Sequence, residues 1–187
     1  MGNHQNYPGN ETIRLDFETM NCIQLVDYIV QKHHQYAFSA ISQIKLQIVN
    51  AVSQDPENSV LKSVQNYFGL LSNELSLHMQ KEELVLFPNI HRLVLAEANG
   101  IPFDTAGFTL IKSPASVMMT EHQTIGLMEE RIIKLTNNFE APENETSSFL
   151  ELVRMLKEFD DDLQQHAHLE DDILVPKIMA LIQVFPN

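Results

Sequence analysis

Apolar positions recur along this chain at helical spacing, in four long stretches separated by breakers. Segment A runs from Cys22 to about Val52, with Val26, Ile29, Ala37, Ile41, Ile44 and Ile48 on one side, and stops at the turn signal Asp55-Pro56-Glu57-Asn58. Segment B runs from Ser59 to about Ala98. Gly100, Pro102 and Gly107 mark a longer connection, and Ser113-Pro114 predicts an N-cap with proline at the first position of segment C. Segment C ends near Asn137, before Pro142. Ser148 with Glu151 predicts a capping box for segment D, which reaches about Val184. Residues 1–20 are polar and are expected to form a leader; residues 21–187 are expected to form one domain. Four helices of this length with short turns predict an all-α fold, an antiparallel up-down four-helix bundle.

Segments B and D carry clean heptads. In B the seams are Leu61, Phe68, Leu75, Glu82 and Val64, Leu71, His78, Val85; in D they are Phe149, Leu156, Leu163, Glu170 and Leu152, Phe159, His166, Ile173. Each seam is apolar except at matching places, where a histidine and a glutamate intrude. The heptad period sends those four polar side chains into the core.

The same stretches repeat each other. HMQKEELVLFPNI (78–90) and HAHLEDDILVPKI (166–178) share H-x-x-x-E-[ED]-x-[VI]-L-x-P-x-I. His33 precedes His78, and His122 precedes His166, by intervals that differ by a single residue. The chain is thus built as two helical hairpins on one plan, each giving a histidine from its first helix and a histidine and glutamate from its second. His33 and His78 lie about 20 residues either side of the A–B turn, and His122 and His166 about 16 to 20 from the C–D turn, so one level of the bundle can collect all six.

One His-x-x-x-Glu on a helix is commonly a surface ion pair. Here the pair sits on a buried seam, occurs twice, and has two further histidines at its depth. Four imidazoles and two carboxylates buried without partners would cost a marginally stable bundle a few kcal/mol each. Cations turn that cost into binding energy. The metal ligands expected are therefore His33, His78, Glu82, His122, His166 and Glu170. His34, one residue on and rotated by about 100°, is the fallback ligand for helix A. His4, His91 and His168 fall off the seams and are expected to be bystanders. Glu74 and Glu121, near His78 and His122, are candidates for the shell around the ligands. Imidazole and carboxylate without thiolate suit iron or manganese, with zinc a further option, and leave open positions on two six-coordinate ions.

Composition narrows the partners. A net charge of −13 argues against nucleic acid. No apolar run approaches a membrane span. The start MGNHQNYPGN lacks an apolar h-region and a basic n-region, and the lone Cys22 excludes an intrachain disulfide, so a cytoplasmic location is expected. The sequons at Asn10 and Asn144 carry no weight in that setting. No serine or cysteine triad, phosphate loop or Cys-x-x-Cys is present.

From about Leu25 to Ile182 the chain resembles the iron–sulfur cluster repair di-iron proteins (the repair-of-iron-centres family), which carry a hemerythrin-like domain. The likeness rests on Tyr28 through His33-His34, on Glu74 through His78 and Glu82-Glu83 to Leu86-Phe87-Pro88, on Pro114 through Val117-Met118 to Glu121-His122, and on His166 through Glu170 to Leu174 and Pro176. It implies a hemerythrin-like bundle with a non-haem, oxo-bridged centre of two iron ions. His33, His78, His122 and His166 would be terminal ligands, Glu82 and Glu170 bridges, and Glu74 and Glu121 nearby acids. It also implies a cytoplasmic stress response that restores iron–sulfur clusters damaged by nitric oxide or oxidants, with damaged iron–sulfur proteins as partners. Family members often carry a small N-terminal domain with a cysteine pair, for which the leader is too short. Tyr36 stands where many relatives have a second histidine, and Gln123 where an Asp is usual. A hemerythrin-like binder or sensor of oxygen or nitric oxide without repair activity, and a peroxide-handling di-iron enzyme, remain alternatives.

Overall fold

The computed structural model describes residues 16–103, 105–140 and 145–185. Most of the expected leader, with His4 and Asn10, lies outside the described residues, as do Pro142 and Asn144.

Four helical rods form the bundle. The first, α1, comprises Cys22–Tyr28, a π-helical turn Ile29–His34, and Gln35–Gln54. The second, α2, comprises Ser59–Lys81, a π turn Glu82–Leu86, and Phe87–Ala98. The third, α3, is Thr105–Leu135, and the fourth, α4, comprises Ser147–His168, a π turn Leu169–Leu174, and Val175–Gln183. α1 packs against α2 and α4, and α2 against α3. The chain is all-α, as the periodicity predicts, and no helix of the described residues is long and apolar enough to cross a membrane.

Local chemistry sets the helix ends. Asn21 and Gln24 cap α1 reciprocally, each side chain taking the other's backbone N–H. Asn58 accepts from Val60 and Leu61 N–H and starts α2 at the expected residue. Two expected starts move. α3 runs through Pro114 from Thr105, so Ser113 is no N-cap. The carbonyl that Pro114 cannot bond belongs to Leu110, which is exposed, where solvent can satisfy it. α4 is capped by Thr146, whose Oγ1 accepts from Phe149 N–H at 3.2 Å, and not by Ser148. Ser148 is buried and its hydroxyl is taken by Asn50, while Glu151 pairs with Arg154.

The π turns of α2 and α4 follow from the shared proline. Pro88 and Pro176 have no N–H, and their rings would collide with the carbonyl four residues back in a regular helix. One extra residue in the preceding turn relieves this. Phe87 N–H then donates to Glu82 C=O, and Val175 N–H to Glu170 C=O, each five residues back. The extra residue also shifts the register. Val85, expected on the seam, is 39% exposed, while Leu86 and Phe87 are buried. α1 has the same device without a proline, with Gln35 N–H donating to Val30 C=O.

The core is split in two. One apolar cluster takes Ala37 to Ala51 from α1, Leu61 to Met79 from α2, Ile125 and Ile132 from α3, and Phe149 to Leu163 from α4. The other takes Cys22 to Ile29, Leu86 to Leu93, Ile111 to Met118, and Leu169 to Ile182. Between them, at one level of all four helices, lie the buried histidines and glutamates.

Candidate metal centre

Both bridging candidates are almost wholly buried: Glu82 is 2% exposed and Glu170 0%. Each lies one turn after its histidine on the same helix. His78 Nε2 is 3.1 Å from Glu82 Oε1, and His166 Nε2 is 3.1 Å from Glu170 Oε1. The other oxygens reach across the bundle, Glu82 Oε2 to His34 Nε2 at 3.4 Å and Glu170 Oε2 to His122 Nε2 at 3.2 Å.

These contacts divide into two groups of ligand atoms that share both glutamates: His34, His166, Glu82 and Glu170, and His78, His122, Glu82 and Glu170. Within the first, the two Nε2 atoms are 3.1 Å apart; within the second, 3.0 Å. Two nitrogens bound at right angles to one ion at about 2.1 Å would stand about 3 Å apart, so the spacing suits one cation per histidine pair. All four oxygens of Glu82 and Glu170 are buried without a hydrogen-bond partner, and all four face imidazole nitrogens. Buried carboxylates of this kind need a cation or a proton nearby. The donor set fits two cations bridged by two carboxylates.

Outside this shell, carboxylates orient the rings. His34 Nδ1 donates to Glu83 at 2.8 Å, His78 Nδ1 to Glu121 at 3.0 Å, and His122 Nδ1 to Asp171 at 3.0 Å. An ionised carboxylate can only accept, so the proton belongs on Nδ1 and Nε2 keeps its lone pair for an ion. Glu121 also pairs with Lys81.

Without an ion, the buried carboxylates favour protonated imidazoles. Burial by itself would hold His34 neutral, but its contacts with Glu170 and Glu82 outweigh this and push the imidazole up to about 10. His122 behaves alike: burial opposes charge, while Asp171 and Glu170 push it up to about 10. His78 is also raised against burial, by Glu82, Glu170 and Glu121. Burial would raise Glu170, but His166, His122 and His34 hold it well below the ordinary carboxylate range. Burial of Glu121 is likewise outweighed, here by Lys81 and His78, which lower it.

Five of the six expected ligands, His78, Glu82, His122, His166 and Glu170, converge on this layer. Helix A differs: His34 faces it, and His33 belongs to neither group. The π turn Ile29–His34 adds a residue that an α-helical period does not count, which moves the inward position on by one. His33 is buried instead beside the layer, its ring parallel to that of His166 at 5.8 Å between centroids, and its Nδ1 donates to Asp162 at 2.9 Å. Of the two nearby acids, Glu121 holds His78, but Glu74 is exposed and makes no hydrogen bond or ion pair among the described residues. His168 is exposed and paired with Asp172, and His91 lies near Asp27, both away from the layer. Sequence reasoning missed Glu83 and Asp171. Their signal was the acidic residue that follows the bridging glutamate in both copies of the repeat.

A cavity of about 320 Å³ between α2 and α3 reaches His78 and Glu82, walled by apolar side chains including Val85, Leu86, Val117 and Met118. It gives a small molecule a route to the second group.

The model of the hemerythrin HHE cation-binding domain matches residues 25–178. The chain belongs to this family. It is also similar to the Iron-sulfur cluster repair protein YtfE of Citrobacter koseri, with 31% identity over 172 residues, covering 91% of this chain and 72% of that protein. The protein of the same name from Escherichia coli O81 matches over the same shares at 31% identity. The His/Glu layer described above is the candidate cation site of this hemerythrin domain.

Proposed function

We propose that this hemerythrin-domain chain holds a non-haem di-iron centre and serves in the cytoplasm to repair iron–sulfur clusters damaged by nitric oxide or oxidative stress. The observation that carries the reading is the pair of histidine groups sharing Glu82 and Glu170, in a chain that matches repair proteins over most of its length. His34 and His166 would hold one ion, His78 and His122 the other, and Glu82 and Glu170 would bridge them. Iron bound there would supply redox chemistry and an exchangeable coordination position. Imidazole and carboxylate donors without thiolate suit iron or manganese, with zinc a further option, and the likeness to iron–sulfur cluster repair proteins favours iron.

The chain's own residues set the conditions. Glu83, Glu121 and Asp171 hold three rings in the tautomer that offers Nε2. The two apolar clusters keep bulk water from the bridging carboxylates. Damaged iron–sulfur proteins would be the partners, and oxygen and nitric oxide the small ligands.

The test mixes a nitric-oxide-damaged iron–sulfur enzyme with reductant and the iron-loaded protein, against ferrous salt at equal iron. Recovery faster than with the salt is expected. The apolar cavity at His78 favours one second reading, a binder or sensor of oxygen or nitric oxide without repair activity. Recovery no faster than with salt, with reversible spectral change on adding and removing the gas, would select it. Catalytic loss of added peroxide would select a peroxide-handling enzyme instead.

A further inference from the structure

A fifth histidine is buried at the metal layer without a place in it. His33 is 3% exposed, and its Nε2 has no hydrogen-bond partner. A structural role alone would account for its stack on His166 and the edge contact with Tyr28 at 5.7 Å. It does not account for how the ring is dressed. Its Nδ1 donates to a carboxylate, Asp162, at 2.9 Å, leaving a bare, buried Nε2. The bond from Nδ1 to a carboxylate is shared with His34 on Glu83, His78 on Glu121 and His122 on Asp171. His33 is prepared as a metal ligand is prepared, one residue from a ligand.

The backbone between them supplies a way to exchange the two. His33 and His34 close the π turn Ile29–His34, which holds one residue more than an α-helical turn. In α2 and α4 a proline fixes the corresponding turn, but no proline follows this one. Moving the extra residue one position along the helix needs only the exchange of neighbouring i→i−5 and i→i−4 hydrogen bonds. It turns the side chains at the turn by about 100° and advances them by about 1.5 Å. His33 already stacks on His166, the histidine of the half-site in question, so rotation rather than travel separates it from the ligand position.

We propose that His33 is a reserve ligand, exchanged for His34 on the ion held with His166 by a one-residue slide of the π turn. The inference rests on the two-ion reading above. The exchange replaces one imidazole nitrogen by another, so it needs no oxidant or reductant. It makes the His34–His166 half-site the labile one, from which an ion could be passed on while His78 and His122 keep theirs.

The test counts metal by elemental analysis and records the visible spectrum of iron-loaded wild type, His33→Ala, His34→Ala and the double variant, with helicity checked by circular dichroism. Wild type should hold two ions; fewer would sink the two-ion reading itself, whatever the variants do. His33→Ala should hold two with the wild-type spectrum. His34→Ala should also hold two, with an altered spectrum because its ligand set has changed, while the double variant holds one. If His34→Ala loses an ion as completely as the double variant, His33 is not a reserve ligand and the proposal falls. Should His34→Ala not fold, His34→Leu, which fills the space without a donor atom, gives the same reading.

Discussion

The carboxylate of Glu121 accepts a hydrogen bond from His78 Nδ1 at 3.0 Å, and its other oxygen pairs with Lys81 at the mouth of the apolar cavity. The cluster joins the exposed ammonium of Lys81 to a buried candidate ligand. Glu121→Leu should therefore weaken metal binding by roughly ten- to a hundredfold, the usual cost of losing a ligand's outer partner. Glu74→Leu should leave it unchanged. Competition with a calibrated chelator measures both, and equal effects would show that Glu121 acts only through surface charge.

Metal loading should release protons. His34 and His122 sit at about 10 in the metal-free chain, so both are charged at neutral pH and must lose a proton to bind an ion. Affinity should rise with pH across this range. Metal-free stability should move the other way. The contribution of these histidines is complete below their ordinary value of 6.5 and is lost as pH rises through about 10. A pH-stat recording no proton release on loading at pH 7 would contradict this account.

Glu129 is an expensive residue. Burial, then the charge of Asp160, push its carboxyl up to about 7, although His122 pulls the other way, and its Oε1 has no partner. A raised carboxyl favours the folded state at low pH and loses that benefit between the ordinary carboxylate range and about 7. Glu129→Gln should leave stability nearly unchanged at pH 4 and raise it at pH 8. The gain should be on the order of 2 kcal/mol, after discounting for the partial exposure of the residue. Denaturant melts at the two pH values check this, and an equal effect at both would exclude the titration.

Removing the metal should lower the melting temperature of wild type, since an ion that binds only the folded chain stabilises it by mass action. Replacing both bridging glutamates with leucine continues the seams Leu61–Phe68–Leu75 and Phe149–Leu156–Leu163. The double variant should fold and bind no metal, and a chelator should not shift its melting temperature. Failure to fold at low temperature would assign the carboxylates a structural part.

Much of this centre was legible in the sequence because the heptads of segments B and D expose each intruding polar residue against an apolar background. His78, Glu82, His166 and Glu170 follow from that contrast, and His122 from the repeat. His34 did not follow, because a period of 3.6 residues cannot register an inserted one. Pro88 and Pro176 announce the insertion in α2 and α4, but α1 has no such mark. The same blindness misplaced Val85. Glu83 and Asp171 were visible in the repeat as acids, yet their task depends on which neighbouring helix they meet, and spacing along one helix does not reveal that.

The division of the core into two apolar clusters has a consequence for how the molecule opens. Each cluster draws on all four helices, and only the His/Glu layer lies between them. An ion in that layer would tie the helices together at mid-height, so both halves should then exchange their amide hydrogens through one shared, global opening. With the tie removed, the block of Cys22 to Ile29 and Leu169 to Ile182, which holds the shorter helical pieces, becomes free to fray by itself while the longer block stays shut. The metal would then decide whether this chain behaves as one cooperative unit or as two.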